Sequence, residues 1–139
     1  MAKRRRSTTI AAKDILVIDD DTLMRDGIAD LLEEAGYTVR AAADGSAGLE
    51  AAMAGAPALV VTDIFMPGTS GMAVISELRR MHPATPIIAI SGRFSADGMD
   101  PAEVSLLGAS RVLAKPFTSS DLLAAVAELL ASASQGPSP

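Results

Sequence analysis

Five short apolar segments alternate along the chain with longer segments of helical periodicity. The apolar segments are rich in aliphatic residues and lie at 14–20, 37–42, 58–63, 86–91 and 111–114. The helical patterns occupy 22–35, 46–54, 72–81, 101–108 and 119–133. A continuous apolar run, as in ILVI at 15–18, is typical of a strand that is buried on both faces of a sheet. The alternation therefore predicts an α/β chain of βαβ units with a five-stranded parallel sheet and helices on both faces.

Composition excludes several kinds of site. The 139 residues include no cysteine and one histidine, which excludes disulfides and thiolate metal sites and leaves too few ligands for a multi-histidine site. The formal net charge is −5, and no apolar run approaches the roughly 18 residues that span a bilayer. We therefore expect a cytoplasmic protein without membrane insertion and without direct nucleic-acid binding.

The length of the chain favours a single domain, which we place at residues 13–133. Residues 1–12 contain the basic run KRRR at 3–6 but lack the apolar core of a secretory signal. We expect this segment to be a disordered, solvated tail, in preference to a contact with nucleic acid or a membrane surface. Residues 134–139 are likewise expected to form a disordered tail.

Two of the predicted helices carry clear apolar stripes. The stripe of the first helix comprises Leu23, Ile28, Leu31, Leu32 and Ala35, with Gly36 placed to end the helix. The stripe of the last helix comprises Leu122, Leu123, Val126, Leu129 and Leu130. These stripes predict the helix faces that pack on the sheet.

Polar side chains stand where the predicted strands end. Asp19 and Asp20 end the first strand, and Asp63 ends the third. Ser91 ends the fourth strand, and Lys115 follows the fifth. Because the carboxyl ends of parallel strands lie along one edge of a sheet, where ligands bind in the crevice, we expect these five side chains to converge there.

The chemistry of this set points to phosphate and a hard cation. Clustered carboxylates do not all ionise readily unless a cation compensates them. Mg²⁺ fits because it uses one or two carboxylates, keeps waters and takes its remaining ligands from phosphate. A lysine and a hydroxyl would supply donors to phosphate oxygens. Together these groups are the parts needed to form an aspartyl phosphate.

Four motifs in order carry a resemblance to a known family. They are ILVIDDD at 15–21, VVTDIFMPGTSG at 60–71, IIAISG at 87–92 and VLAKPF at 112–117. Together they resemble the receiver domain of bacterial response regulators over residues 14–131. The resemblance implies a flavodoxin-like, doubly wound (βα)5 sandwich whose parallel sheet has the strand order 2-1-3-4-5, as in chemotaxis receivers.

The resemblance implies a phosphoacceptor and a metal site. Asp63 would be the phosphoacceptor, taking the phosphoryl group from a phosphohistidine. Asp20 would bind Mg²⁺ (or Mn²⁺) directly, Asp19 would act mainly through a bound water, and Asp63 itself would complete the carboxylate set. Phe65 would contribute its backbone carbonyl to the metal.

The resemblance also implies groups that bind the phosphoryl oxygens. Ser91 would donate a hydrogen bond to the phosphoryl group, with Gly92 beside it in the same switch segment. Lys115 would pair with a phosphoryl oxygen. The bond from Lys115 to Pro116 is expected to be cis, a conformation that proline makes inexpensive.

The chain departs from the family pattern at one switch position. Many receivers carry an aromatic residue three positions before the lysine, and here that position is Val112. Phe65 and Arg93 occupy positions that in the family influence the access of water to the phosphoryl group. A bulky ring and a cationic arm there predict a long-lived phosphorylated state.

Each of these residues has a simpler interpretation. An aspartate at a strand end is also typical of a helix cap, and we expect that role for Asp21, at the positive end of the first helix. Ser91 could be an ordinary turn residue, and Lys115 could be a solvated surface residue. The ordered set of motifs favours the functional interpretation over these.

Three functions remain open from the sequence. The leading hypothesis is a stand-alone receiver that is not a turnover enzyme and catalyses only its own phosphorylation and dephosphorylation. Its partners would be a sensor histidine kinase or a histidine phosphotransfer protein and an unidentified downstream protein, with phosphorylation-dependent homodimerisation left open. The second hypothesis is a receiver module from a longer regulator or hybrid kinase. The third, a Mg²⁺-dependent phosphatase-type enzyme or another nucleotide-binding α/β protein, is disfavoured because DDDT stands where a glycine-rich phosphate loop would follow the first strand.

Overall fold

A computed structural model describes residues 13–66, 69–91 and 108–135. Its strands are β1 (Asp14–Ile18), β2 (Thr38–Ala42), β3 (Leu59–Asp63), β4 (Ile87–Ser91) and β5 (Arg111–Ala114). All neighbouring pairs are parallel, and the sheet has the order β2-β1-β3-β4-β5. This confirms the predicted α/β fold and its 2-1-3-4-5 order.

Four helices cover the sheet within the described residues. They are α1 (Thr22–Glu34), α2 (Gly45–Ala54), α3 (Gly71–Met81) and α4 (Ser119–Gln135). Helix α4 ends two residues later than predicted, since Ser134 and Gln135 can continue its hydrogen-bond pattern. The predicted helix at 101–108 falls almost wholly outside the described residues, as do residues 1–12 and 136–139. No helix in the described ranges has the length and apolar character needed to cross a membrane.

The sheet buries both of its faces. Successive residues of β1 and β3 alternate between two cores, because strand side chains point to opposite faces. One core joins the sheet to α2 and α3 and includes Leu16, Ile18, Val60, Val74, Ile75 and Ile87. The other joins it to α1 and α4 and includes Ile15, Val17, Val61, Ile28, Leu122 and Val126. The continuous apolar runs in the sequence are explained by this burial from both sides.

Helix α1 begins as predicted and ends one residue earlier, at Glu34, and two residues of its predicted apolar stripe, Leu23 and Ala35, are exposed. The Asp21 carboxylate caps the helix by accepting hydrogen bonds from the backbone N–H groups of Leu23 (3.0 Å) and Met24 (3.2 Å). Gly36 follows the helix with φ +104°, a conformation that favours glycine. Leu23 was predicted to face the core and is 85% exposed. Leu23 lies in the first turn of α1, next to the exposed residues Asp20, Asp21 and Thr22.

A short hairpin separates β3 from α3. Phe65–Met66 pairs antiparallel with Thr69–Ser70, and the Gly71 N–H donates to the Ile64 carbonyl at 3.0 Å. The sequence predicted only a turn in this segment. A Cβ on Gly71 would lie 2.2 Å from the Ile64 carbonyl oxygen, so the closure of this hairpin requires glycine.

Candidate functional site

The carboxyl edge of the sheet brings together four of the predicted polar side chains. Carboxylate oxygens of Asp19, Asp20 and Asp63 lie within 4.8 Å of one another. The Lys115 Nζ lies 3.7 Å from Asp63 Oδ2. These residues come from three strand ends that are far apart in sequence, and the parallel order of β1, β3 and β5 places them at one edge. The site is therefore an acidic cluster with one lysine at its margin.

Asp19 is the most constrained of the carboxylates. It is 1% exposed, its N–H donates to the Ala42 carbonyl on β2 (3.1 Å), and its Oδ1 accepts from the Asp21 N–H (2.9 Å). Burial raises the pKa of the Asp19 carboxyl above its ordinary value, and the negative charges of Asp63 and Asp20 act in the same direction. The Asp21 N–H and the Lys115 charge oppose this rise without cancelling it. The ionised carboxylate therefore lacks full compensation, which favours the binding of a cation.

The three consecutive aspartates occupy different environments. Asp19 is buried at the end of β1, Asp20 is exposed, and Asp21 is used as the cap of α1. Asp63 is buried at the end of β3, and the Thr62 hydroxyl donates to the backbone carbonyl of Asp63 at 3.0 Å. Two of the three consecutive aspartates thus belong to the acidic cluster, as predicted, and the third belongs to the helix.

Lys115 is positioned by the end of β5. Its N–H donates to the Ser91 carbonyl at 2.9 Å, and the bond from Lys115 to Pro116 is cis. Ser91 is fully buried and pairs with Ala114 in the sheet. Since Asp63 pairs with Ile90, Ser91 stands one residue beyond the partner of Asp63 on the neighbouring strand. The structure therefore places Ser91 at the same edge as the acidic cluster.

Of the remaining predicted site residues, the structure describes Phe65 and Val112 and does not describe Gly92 and Arg93. Phe65 is described by its backbone, which forms the first strand of the hairpin after Asp63. Val112 is half-buried and packs against the core beneath α2 and α3. Gly92 and Arg93 lie outside the described residues.

The donor set fits a hard divalent cation. Oxygen ligands at about 2.1 Å from an octahedral Mg²⁺ are about 3 to 4.2 Å apart. The carboxylate oxygens of the cluster fall within 4.8 Å of one another, so they meet this requirement with a small inward movement or with a water as intermediary. Mn²⁺ has the same preference for oxygen ligands. No other group of three or more potential metal-ligating side chains occurs in the part of the chain that the structure describes.

Two features beside the site were not predicted from the sequence. Arg25 on α1 donates from Nη1 to the backbone carbonyl of Asp19 at 2.8 Å. The i,i+4 spacing of Arg25 from Asp21 predicts an ion pair between those two side chains and not this contact with the Asp19 backbone, so the sequence held no signal for it. A groove of about 430 Å³ also opens between α1 and the start of α4, lined by Asp21, Leu23, Met24, Gly27, Ile28, Leu31, Phe117, Ser119 and Leu122.

The chain matches the family model described as the response regulator receiver domain over residues 15–127. It is 37% identical over 116 residues to the transcriptional regulatory protein HprR of Escherichia coli, an alignment that covers 81% of this chain and 49% of HprR. It is 34% identical over 123 residues to the transcriptional regulatory protein PrrA of Mycobacterium tuberculosis, covering 88% of this chain and 52% of PrrA. The chain thus spans about half the length of these curated relatives.

Solved structures of similar chains share the fold of this chain. A CheY-like receiver domain protein from Methanospirillum hungatei is 28% identical, with a TM-score of 0.84, and the match covers 91% of this chain and 100% of that one. The receiver domain of NtrX from Brucella abortus is 32% identical, with a TM-score of 0.79, covering 86% of this chain and 99% of that one. Both similarities extend over nearly the whole described fold.

Proposed function

Because the chain belongs to the response regulator receiver domain family, we propose that Asp63 accepts a phosphoryl group from a histidine kinase or a histidine phosphotransfer protein. One observation carries this proposal. The Asp63 carboxylate has the Asp19 and Asp20 carboxylates within 4.8 Å and the Lys115 ammonium at 3.7 Å. An acceptor oxygen, a cation site and a fixed positive charge are the groups that phosphoryl transfer to a carboxylate requires.

In the proposed step, an Asp63 carboxylate oxygen forms a bond to phosphorus while the P–N bond of the phosphohistidine breaks. The imidazole leaves with the electron pair of that bond. Mg²⁺ or Mn²⁺, held by Asp19, Asp20, Asp63 and the Phe65 carbonyl, would neutralise charge on the phosphoryl oxygens. Asp19 would act through a water, as its burial and its hydrogen bond to the Asp21 N–H leave it less free to turn than the exposed Asp20.

Lys115 and Ser91 would hold the transferred group. The Lys115 ammonium, released from its contact with Asp63 Oδ2, would donate to a phosphoryl oxygen. The Ser91 hydroxyl, at the end of the adjacent strand, and the neighbouring Gly92 would form the opposite side of the phosphoryl site. Movement of Ser91 toward the new charge would shift the protein between two conformations and so change its partner-binding surface.

The proposed activity is regulatory, and the chain would catalyse only its own phosphorylation and dephosphorylation, in the cytoplasm. Receiver relatives are regulators and not turnover enzymes. Because Val112 replaces the family's aromatic switch residue, the response would depend on Ser91 and its surroundings. Phe65 and Arg93 would slow hydrolysis of the acyl phosphate by shielding it from water. The downstream protein, or a homodimer formed on phosphorylation, would read the new conformation.

Phosphorylation with a small acyl phosphate tests this proposal without a partner protein. The purified chain is incubated with the donor in the presence of Mg²⁺ or of EDTA, and the product is reduced with borohydride, digested and mapped by tandem mass spectrometry. We expect the modification at Asp63 and only with Mg²⁺. Modification at another residue, or equal modification in EDTA, would contradict the proposed site.

The groove between α1 and α4 is the surface that we assign to the phosphohistidine donor. A donor imidazole must reach Asp63 at the sheet edge, so the protein that carries it contacts the surface beside that edge. The groove begins there, with Asp21 and Phe117 among its lining residues, and Leu23 stands exposed at its rim. An amphipathic helix that bears the phosphohistidine would place its apolar side chains against this rim.

Substitution Leu23→Glu is expected to separate the two kinds of donor. Transfer from a phosphohistidine protein should slow by about tenfold, because a buried carboxylate in the contact costs more than the lost apolar area. Phosphorylation by a small acyl phosphate should keep its wild-type rate, because the exposed Leu23 is not one of the residues proposed to bind the metal or the phosphoryl group. Time courses of phosphorylation with each donor, quenched at set times, measure this difference. Met53→Glu, at an exposed position on α2, provides the control and should leave both rates unchanged.

A further inference from the structure

Arg25 makes an unusual contact for a helix-surface arginine. Its backbone N–H donates to the Asp21 carbonyl at 2.8 Å as part of the first turn of α1. Its half-buried side chain turns back toward the strand, and Nη1 donates to the Asp19 carbonyl at 2.8 Å. Within residues 13–66, 69–91 and 108–135, Arg25 forms no ion pair with a carboxylate. The guanidinium therefore acts on the backbone of the acidic turn and not on its side chains.

This contact constrains the two aspartates that follow β1. The Asp19 carbonyl and the Asp20 N–H belong to one planar peptide unit, so fixing the carbonyl fixes the plane from which both residues project their side chains. Asp19 is held on its other sides by the Ala42 carbonyl and by the Asp21 N–H. Arg25 supplies a further restraint, which comes from a side chain of α1.

We propose that Arg25 is a positioning residue of the metal site, which holds the Asp19–Asp20 peptide so that both carboxylates face the cation. This inference rests on the proposed function of the site. The direction of its effect is diagnostic. If Arg25 contributed only its positive charge, its removal would strengthen cation binding, because like charges repel. If Arg25 orients the ligands, its removal weakens cation binding in spite of the relieved repulsion.

The test compares Arg25→Met, which keeps an unbranched stem about as long as the aliphatic part of arginine but has no donors and no charge, with Arg25→Lys, which keeps a donor and the charge. Mn²⁺ is the probe, and its dissociation constant is measured by electron paramagnetic resonance of the unbound ion. We expect Arg25→Met to bind Mn²⁺ about tenfold more weakly than wild type, in line with the loss of groups that orient metal ligands. Arg25→Lys should recover part of this loss. Arg80→Met, at a side chain that is 71% exposed on α3, should bind as wild type does.

Thermal unfolding of the metal-free chains separates positioning from a general loss of structure. Unfolding is monitored by circular dichroism. We expect the unfolding temperatures of Arg25→Met and Arg80→Met to lie within a few degrees of that of wild type. Unchanged or tighter Mn²⁺ binding by Arg25→Met would overturn the inference while leaving the proposed function intact. Weaker Mn²⁺ binding by Arg25→Met would also overturn the inference if it came with a large loss of thermal stability, or if Arg25→Lys bound Mn²⁺ no better than Arg25→Met. A wild-type chain that bound no Mn²⁺ would overturn both the positioning role of Arg25 and the proposed function of the site.

Discussion

Substitution Asp19→Asn is expected to stabilise the metal-free protein and at the same time to impair metal binding. Asp19 is buried beside two other carboxylates, and its burial raises the pKa of its carboxyl. An asparagine keeps the oxygen that accepts from the Asp21 N–H but removes the uncompensated charge. The free energy of unfolding should therefore rise at neutral pH by about 0.5–2 kcal/mol, the usual range for a single stabilising substitution. Mn²⁺ affinity should fall by about tenfold to a hundredfold.

The pH dependence of stability tests whether the raised pKa of Asp19 is the cause of the stabilisation expected for Asp19→Asn. A carboxyl whose pKa is raised on folding binds its proton more tightly in the folded state, so its contribution to stability is present at low pH. That contribution is lost as the pH rises from the ordinary value of 3.8 through the raised value in the folded chain. Urea unfolding of metal-free wild type, followed by circular dichroism, should show this loss, and Asp19→Asn should lack it. Asp30→Asn, at an exposed position of α1, should behave as wild type does. A less stable Asp19→Asn chain at neutral pH would contradict the account.

Substitution Gly71→Ala is expected to destabilise the protein by about 3 kcal/mol, a value in the upper range for single substitutions. A Cβ at this position would lie 2.2 Å from the Ile64 carbonyl oxygen and 2.4 Å from the Ile64 Cα. Both are backbone atoms, so no side chain can turn away to make room. The backbone after Asp63 would have to move, and the Phe65 carbonyl that we assign to the metal would move with it.

Gly27→Ala is the matched control for Gly71→Ala. Gly27 lies in α1, and a Cβ there would meet nothing within 4 Å. Alanine is favoured over glycine inside a helix by about 1 kcal/mol, so this variant should be as stable as wild type or more stable. Urea unfolding midpoints compare the three chains. A Gly71→Ala midpoint equal to that of wild type would show that the hairpin accommodates a side chain and would remove this support for the position of Phe65.

The sheet and its carboxyl edge were predictable because they depend on local patterns. Continuous apolar runs identified β1, β3 and β4, and the parallel arrangement then placed the polar residues that follow strands at one edge. The Asp21 cap was predictable for the same reason, since a cap is formed by neighbours in sequence. The strand order came only from the family resemblance that the four motifs carry, because no segment by itself specifies which strand lies beside it.

The contacts that were missed depend on the arrangement of elements in space. Leu23 continues the apolar stripe of α1, and only its place in the folded chain shows that it faces solvent. Arg25 was indistinguishable from other charged helix residues until the turn at Asp19 was placed beside it. Arg40 on β2 is a third case, because its guanidinium joins the Asp14 carboxylate (2.6 Å) to the carbonyls of Ala51 (2.7 Å) and Gly55 (2.8 Å). These contacts link residues that lie 11 to 26 positions apart in sequence, beyond the reach of a local pattern.

The intact mass of the chain after incubation with a small acyl phosphate and Mg²⁺ tests the role of Asp63 most directly. Wild type is expected to gain one phosphoryl group, about 80 Da, and Asp63→Asn is expected to gain none. Circular dichroism of both chains establishes that the variant is folded. An unchanged mass of wild type, or an equal gain of mass by Asp63→Asn, would contradict the assignment of Asp63 as the phosphoacceptor.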